Sequence, residues 1–197
     1  MSNSTIIIER HPWEPFISPQ SKLIFLGSFP PKKEKWSMDF YYPNKINDFW
    51  RIMGKIFHSN YNQFYNQDLG LFNKEGIQNF LKKNKIAVGD IGLEISRLRD
   101  NASDKFLEII KPLDLVNLIS SNTNCNIIVS TGQKASEIIA QITNTTIPKI
   151  GDYTIFQYSE SRTIKIYRMP STSRAYPLSI DKKVAQYKKL FKDCDFM

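Results

Sequence analysis

The sequence predicts an α/β protein with a central, mainly parallel sheet and helices on both faces. Short apolar runs indicate buried strands, and longer segments with apolar residues three and four positions apart indicate amphipathic helices. These two signals alternate along the 197 residues, which is typical of a sheet covered by helices on both sides. Because this length suits one such unit, we expect residues 1–197 to form a single domain.

Five segments have the pattern of strands. Three of them contain short apolar runs, as expected of buried parallel strands: 22–26 (KLIFL), 86–88 (IAV) and 126–130 (NIIVS). The other two alternate more regularly and predict a pair nearer an edge of the sheet: 153–157 (YTIFQ) and 163–169 (TIKIYRM).

Helical periodicity occupies the segments around these strands. Pro112 can stand at a first helical position, so we expect it to begin the third helix, and Asp181 is suited to cap the last one. The pair Lys182 and Lys183 is expected on a solvated face of that last helix. The predicted helices cover 47–57, 74–83, 113–120, 132–142 and 181–192.

The composition favours a folded, basic protein. Hydrophobic residues make up 41% and aromatic residues 13% of the chain, which excludes wholesale disorder. Lys and Arg number 27 against 19 Asp and Glu, giving a net charge of +8. Such an excess fits a polyanionic partner, although charge alone does not identify one.

The cysteine and histidine residues exclude several classes of site. Cys125 and Cys194 lie far apart, which argues against a disulfide scaffold, a structural zinc site and an iron–sulfur cluster, and favours the reducing cytoplasm. The two histidines, His11 and His58, have no metal-ligand spacing, so we expect neither a metal ion nor another cofactor. We interpret His11 as a packing or entry-loop residue. No run approaches the ~18 apolar residues of a membrane span.

Small, polar or turn-forming residues follow four of the predicted strands, at 27–31, 89–92, 130–133 and 170–174. The carboxyl ends of parallel strands meet at one edge, where open α/β sheets bind ligands. We therefore expect these segments to gather there. Turn residues are equally common in ordinary connections, so this pattern alone leaves both interpretations open.

The first of these segments continues into an aromatic-rich run, 27–50 (GSFPPKKEKWSMDFYYPNKINDFW). Gly27 lets the backbone approach a ligand closely, and clustered aromatic side chains can form a slot for a planar ring. We assign Phe49 and Trp50 to the helix core. For Tyr41 and Tyr42, stacking on a ligand and packing in the core are equally compatible with the sequence.

The last segment belongs to 169–176 (MPSTSRAY), which has three consecutive hydroxyl side chains followed by Arg174. Hydroxyls, a guanidinium group and backbone N–H groups can together bind a phosphate. The same residues are common in a Ser/Thr turn that caps a helix, which is the alternative interpretation.

Taken together, GSFPP…YYPNKINDFW and MPSTSRAY resemble the two signature motifs of the uracil-DNA glycosylase superfamily. The resemblance is closer to the branch of hypoxanthine/mismatch-type DNA glycosylases, whose first motif contains N-x-F-W. Gly89-Asp90-Ile91 and 97–104 (RLRDNASD) also resemble that branch. The resemblance implies a three-layer α/β/α sandwich and hydrolysis of the N-glycosidic bond of a deaminated base in DNA.

The resemblance implies a binding site for a base that has left the duplex stack. Tyr42 would stack on this base, beside Gly27, Ser28 and Phe29. The residues expected to contact the DNA backbone are Lys32, Lys33, Ser171, Thr172, Ser173 and Arg174.

Two residues are the catalytic candidates. By the resemblance, Asn47 would orient a water molecule and favour positive charge on the sugar. Asp90 would accept a hydrogen bond from the base or orient water, and its alternative role is to cap the next segment. These roles require the segments near Asn47 and Ser171 to converge on one cleft.

Two positions depart from the superfamily pattern. Phe29 stands where many members have Asp or Asn, and Met169 stands where the second motif often begins with His or Asn. The alternative function is therefore a damaged-DNA-binding protein of the same fold without turnover. A third hypothesis, an enzyme acting on free nucleosides, needs no basic surface. We expect a monomer that binds DNA and no membrane.

Overall fold

A computed structural model describes residues 7–97 and 106–197. Within these residues the chain forms ten strands and five α-helices. The strands are β1 (Ile8–Arg10), β2 (Leu23–Gly27), β3 (Tyr65–Asn66), β4 (Leu71–Phe72), β5 (Ile86–Asp90), β6 (Gly92–Arg97), β7 (Leu107–Pro112), β8 (Ile127–Ser130), β9 (Asp152–Ser159) and β10 (Arg162–Arg168). The helices are α1 (Phe49–His58), α2 (Lys74–Lys83), α3 (Leu115–Ser121), α4 (Gln133–Thr143) and α5 (Ile180–Asp193).

The main sheet has five strands in the order β5-β2-β8-β10-β9. Strand β2 is parallel to both β5 and β8, and β10 is parallel to β8. Strand β9 is antiparallel to β10 and lies at the edge. The predicted mainly parallel sheet is thus confirmed, including the placement of the two alternating strands toward one edge.

Helices cover both faces of this sheet. Leu23 and Phe25 of β2 face a core shared with α1, α2 and α5, whereas Ile24 and Leu26 face a core shared with α3 and α4. This division follows from the alternation of side chains along a strand. All four β2 side chains are at most 1% exposed, and burial of each contributes about 1.5–3 kcal/mol. The three-layer α/β/α arrangement is confirmed.

A second sheet was not anticipated from the sequence. Strands β1, β6 and β7 form an antiparallel sheet with β6 in the middle. The prediction of a turn segment at 89–92 was wrong, because Asp90 ends β5 and Gly92 begins β6 with only Ile91 between them. The chain stays hydrogen-bonded to the end of β2 through this junction. The N–H of Ile91 donates to Gly27 O, and the N–H of Gly92 donates to Ser28 O.

The helix ends correct two further predictions. Pro112 does not begin a helix; it ends β7, and Asp114 caps α3 by accepting a hydrogen bond from the N–H of Asn117. The last helix is capped by Ser179, and Asp181 lies in its first turn. In both cases a side-chain oxygen near the helix start satisfies a backbone donor, as capping requires.

Part of one predicted motif cannot be placed. Arg97 ends β6, whereas residues 98–104 of the RLRDNASD segment lie outside the described residues. None of the helices in the described ranges is long and apolar enough to cross a membrane.

Candidate functional site

The segment preceding α1 and the hydroxyl-rich segment after β10 contact each other at the carboxyl ends of the parallel strands. Asp48 donates its backbone N–H to the carbonyl oxygen of Thr172, with 2.9 Å between N and O. The predicted meeting of these segments is confirmed. A cleft wide enough for a nucleobase between them stays a prediction.

A buried ionic cluster lies beneath this contact. Lys183 Nζ on α5 lies 2.9 Å from Asp48 Oδ2 and 2.8 Å from the carbonyl oxygen of Ser173. Lys183 is 0% and Asp48 3% exposed. The prediction that Lys183 lies on a solvated face was therefore wrong. The sequence shows only that Lys183 precedes the apolar Val184. It does not reveal that the carboxylate of Asp48, 135 positions away, neutralises the Lys183 ammonium group.

Helix α5 supports the 170–174 segment at a second point. Tyr187 donates its hydroxyl to the carbonyl oxygen of Pro170 at 2.8 Å. On the exposed side of the cluster, Arg174 Nε lies 3.5 Å from Asp48 Oδ1, and the Arg174 side chain is 57% exposed. The segment is thus held from below by α5, with the Arg174 guanidinium at the surface.

Asn47 lies at the start of α1 and is partly exposed. Its side-chain oxygen accepts a hydrogen bond from the N–H of Phe49 at 2.9 Å, and its own N–H bonds to Asn44 O at 2.8 Å. The carboxamide therefore accepts the N–H of the first residue of α1 in an Asx-type turn, which fixes its orientation. A carbonyl oxygen has two lone pairs, so this bond leaves it able to accept a second hydrogen bond.

Tyr42 adopts a backbone conformation that few non-glycine residues adopt, with φ of 52°. Its ring stacks on Phe49 with 3.9 Å between centroids and 11° between planes. The Tyr42 hydroxyl lies 2.9 Å from Thr131 Oγ1, at the end of β8. A strained backbone, a stacked ring and a bonded hydroxyl fix this side chain, and strain of this kind is concentrated at functional sites.

Gly27 allows Asp90 and Tyr42 to come together. A Cβ atom at Gly27 would lie 2.3 Å from Asp90 Oδ1 and 3.5 Å from the Tyr42 hydroxyl oxygen. A side chain at position 27 would therefore occupy the space of the Asp90 carboxylate. Gly27 pairs directly with Asp90 in the parallel ladder of β2 and β5, so the carboxylate lies across the end of the neighbouring strand.

The other oxygen of the Asp90 carboxylate contacts a buried histidine. His11 Nε2 lies 3.0 Å from Asp90 Oδ2, and the two side chains are only 3% and 8% exposed. The His11 ring stacks on Tyr41 at 5.5 Å. Sequence reasoning missed this pair because 79 positions separate the two residues; the only signal was a histidine beside Pro12 and Trp13.

Phe29 forms part of the wall around His11. Its ring meets the imidazole edge-on, with 5.3 Å between centroids. The Arg97 guanidinium lies 5.5 Å from the centre of the same ring. Ser28 lies between Gly27 and Phe29, and its carbonyl oxygen accepts the N–H of Gly92. Of the predicted base-binding residues, Phe29 thus contacts His11, and Gly27 adjoins the Asp90 carboxylate.

The predicted DNA-contacting residues differ in exposure. Thr172 is 2% exposed and holds Asp48 through its carbonyl oxygen, whereas Ser173 and Arg174 are exposed. Ser171 Oγ accepts the N–H of Ser173, and Ser173 Oγ accepts the N–H of Ala175. Both hydroxyls therefore also stabilise the local turn. On the other segment, Lys33 is exposed and Lys32 partly so, at the start of a short 3₁₀ helix, Lys33–Lys35.

The electrostatics of the site favour neutral tyrosines. Burial raises the pKa of Tyr41 far above its usual range, and the negative charges of Asp90 and Glu14 raise it further. Within the described residues, no three His, Cys, Asp or Glu side chains are grouped closely enough to hold a metal ion.

Two surface cavities in the described part of the molecule lie away from this site. One, of about 410 Å³, adjoins the β3–β4 hairpin. The other, of about 570 Å³, lies at the amino ends of β2 and β8, beside Lys22 and Lys85. Neither is lined by the predicted site residues, so the candidate site rests on the side chains described above and not on cavity size.

The fold has a counterpart among solved structures. The solution NMR structure of a putative uracil DNA glycosylase from Methanosarcina acetivorans superposes with a TM-score of 0.60, covering 96% of this chain and 99% of that one at 18% identity. The two chains share one fold. No protein-family model matches the sequence, and no curated protein matches it.

Proposed function

We propose that this protein is a DNA glycosylase that hydrolyses the N-glycosidic bond of a deaminated base, namely hypoxanthine, uracil or xanthine. The observation that carries the proposal is the Asp48 N–H to Thr172 O contact, which brings Asn47 and the 171–174 segment to one edge of the sheet. The motif resemblance and the net charge of +8 support the same conclusion.

In this reaction, a water molecule supplies OH to C1′ of the sugar and a proton to the departing base, while the C1′–N bond breaks. Asn47 orients the water through its carboxamide, whose position is fixed by the bond to the N–H of Phe49. Asp90 presents a carboxylate across Gly27, where it stabilises the positive charge that develops on the sugar. In the proposal Asn47 acts from the segment before α1, and Asp90 acts from the end of β5.

The base must leave the duplex stack to reach these groups. Tyr42 is the stacking residue of the proposal, because Phe49 supports its ring from one side and Thr131 holds its hydroxyl. Gly27, Ser28 and Phe29 form the adjoining floor and wall.

The phosphodiester backbone is bound by the exposed groups around this edge. Arg174 and Ser173 are on one segment, and Lys32 and Lys33 are on the other. Phosphate contacts of this kind release counterions, so the affinity for DNA is expected to fall as salt rises.

The direct test is an excision assay. Duplex oligonucleotides containing uracil, hypoxanthine or xanthine are incubated with the protein and cleaved with alkali at abasic sites. We expect product from at least one of the three. Folded protein that releases none of these bases would contradict the proposed activity.

Asn47 can be tested against a matched residue. We expect Asn47→Ala to lower the single-turnover rate about 100-fold or more, with a much smaller effect on DNA affinity. Asn73→Ala is the control, because Asn73 Oδ1 also accepts a backbone N–H at 2.9 Å at the start of a helix. Both substitutions remove a side-chain bond to a backbone N–H at a helix start, worth about 1 kcal/mol, but only the first should change the rate. Equal losses of rate and affinity in Asn47→Ala would contradict a catalytic role.

A second candidate function is binding of damaged DNA without turnover. Phe29 packs on His11 and Met169 is 2% exposed, so neither position offers the polar group that many superfamily members have there. This alternative predicts salt-dependent affinity for DNA with an abasic site and no release of base. The same excision assay, combined with a binding titration, distinguishes the two functions.

A further inference from the structure

The hydrogen bonds of His11 allow its charge to change while its contact with Asp90 is kept. Nε2 faces Asp90 Oδ2 at 3.0 Å. Nδ1 faces two groups of Trp13 at once: the carbonyl oxygen at 2.7 Å and the backbone N–H at 3.1 Å. A ring nitrogen either donates or accepts, so Nδ1 can use only one of these two partners at a time.

Each partner corresponds to one protonation state. In the neutral ring with hydrogen on Nε2, Nδ1 accepts the N–H of Trp13 and Nε2 donates to Asp90. In the imidazolium, Nδ1 donates to the carbonyl oxygen of Trp13, and Nε2 still donates to Asp90. Uptake of a proton therefore exchanges one Trp13 group for the other and leaves the bond to Asp90 intact.

The other groups near the His11 ring are aromatic side chains, a paired arginine and Glu14. The stacked ring of Tyr41 donates its hydroxyl to the same Trp13 oxygen at 3.2 Å, and its raised pKa keeps it neutral. Phe29 and Trp13 are uncharged. Beyond Phe29, Arg97 is paired with Glu9 at 2.7 Å, and the charge of Glu14 acts on Tyr41. Asp90 is thus the carboxylate that contacts the imidazole.

We propose that His11 is a positioning residue that sets the effective charge of Asp90 through its own protonation at Nδ1. This inference rests on the proposed function. With a neutral His11, Asp90 presents an uncompensated negative charge toward Gly27, where the sugar cation would form. With the imidazolium, the charge of the pair is cancelled, so transition-state stabilisation is weaker. Activity should therefore rise with pH as His11 loses its proton.

The first experiment compares pH profiles of the single-turnover rate for the unmodified protein, His11→Gln and His58→Gln. Glutamine can donate to Asp90 but does not titrate. We expect the rate of the unmodified protein to rise about tenfold between pH 5 and 8. His11→Gln should lack this rise and exceed the unmodified protein at pH 5. His58→Gln, at the exposed histidine that ends α1, should keep it. A rise that survives in His11→Gln would overturn the proposal.

The second experiment needs no enzymatic activity. The imidazole ¹⁵N chemical shifts of the two histidines are followed by NMR from pH 5 to 8. We expect neutral His11 to carry its hydrogen on Nε2, and we expect Asp90→Asn to lower the pH at which His11 takes up a proton, with His58 unaffected. Hydrogen on Nδ1 of neutral His11, or no response to Asp90→Asn, would overturn the inference whatever the activity. Absence of base release with the expected NMR result would count against the proposed function alone.

Discussion

Two buried contacts between a carboxylate and a basic side chain lie at the same edge of the sheet, and they differ in whether the basic group can change its charge. Asp48 and Lys183 are 2.9 Å apart, and Asp90 and His11 are 3.0 Å apart. Lysine keeps its charge throughout the neutral range, whereas histidine changes charge within it. The first pair joins α5 to the start of α1 and to the 170–174 segment. The second pair faces Gly27 and the proposed reaction centre.

The two pairs are suited to different roles: the Lys183 pair stabilises the fold, and the His11 pair adjusts the charge at the site. A permanent charge pair with a backbone carbonyl as third partner is suited to hold two distant segments together. A pair with a titratable partner is suited to a site whose charge has to respond. We therefore expect substitutions in the Lys183 pair to act mainly on stability, and substitutions in the His11 pair to act mainly on rate and pH dependence.

The largest expected effect is that of Lys183→Met. It leaves the buried Asp48 carboxylate with only the 3.5 Å contact to Arg174, and an uncompensated buried charge costs about 3–5 kcal/mol. Denaturant unfolding measures this loss. Lys182→Met, at the exposed neighbouring position, should change stability by less than about 0.5 kcal/mol. The double variant Asp48→Asn/Lys183→Met should recover part of the loss, and a double variant no more stable than Lys183→Met would argue against the unpaired charge as the cause.

The second effect is a rate loss at the other pair. Gly27→Ala places a methyl group in the space of Asp90 Oδ1, so the carboxylate must move, and we expect about a 100-fold fall in single-turnover rate. The control is Gly89→Ala, whose new methyl would meet the Leu26 side chain at 3.2 Å instead of the carboxylate. A Gly27→Ala variant with unchanged rate would show that the position of Asp90 does not matter.

A smaller effect is the loss of folding stability at alkaline pH, to which a buried tyrosine near each pair contributes. Burial raises the pKa of Tyr41 and of Tyr187 above the ordinary value of 10.0. Since both pKa values are higher in the folded state, the associated stability is present below pH 10 and is lost as the pH rises above it. At pH 11 each tyrosine should account for up to about 1.4 kcal/mol of this loss. Urea unfolding at pH 9 and 11 should show a smaller drop in Tyr41→Phe and in Tyr187→Phe; identical drops in all three proteins would contradict this expectation.

The smallest effect on stability is expected from Arg174→Gln. Its exposed ion pair with Asp48 contributes less than about 1 kcal/mol, but loss of one phosphate contact should reduce the salt slope of DNA affinity by about one. Fluorescence anisotropy with a labelled duplex over a salt series measures this slope. Arg10→Gln is the matched control, because Arg10 is 83% exposed and lies 3.4 Å from Glu94, and it is not among the predicted DNA-contacting residues. Equal slopes in both variants would remove Arg174 from the DNA-contacting residues.

The main sheet and the helices could be predicted from the sequence because their signals are local. The apolar run at 22–26 and the spacing of apolar residues in 74–83 each determine an element without help from the rest of the chain. The second sheet gave no such signal: β1 has three residues, and the Gly-Asp-Ile-Gly sequence at 89–92 is typical of a turn. Its strands form because they pair with one another over long separations.

The candidate site was predictable only in part, for the same reason. The roles assigned to Tyr42, Asn47 and Asp90 came from motif resemblance, and they remain predictions. Lys183 belongs to no recognised motif, and His11 was interpreted only as a packing or entry-loop residue. Their importance depends on carboxylates 135 and 79 positions away, and sequence patterns do not encode which distant charge will neutralise a buried one.

The direct passage of β5 into β6 has a consequence for how a substrate would be received. The N–H groups of Ile91 and Gly92 are held by Gly27 O and Ser28 O, so these amides should exchange with deuterium among the slowest in the molecule, as amides of core strands do. Asp90 is thereby mounted on a stiff ladder and not on a flexible connection. The DNA, and not this part of the protein, would then change shape on binding. The ease of distorting the DNA around a lesion would determine which lesions bind.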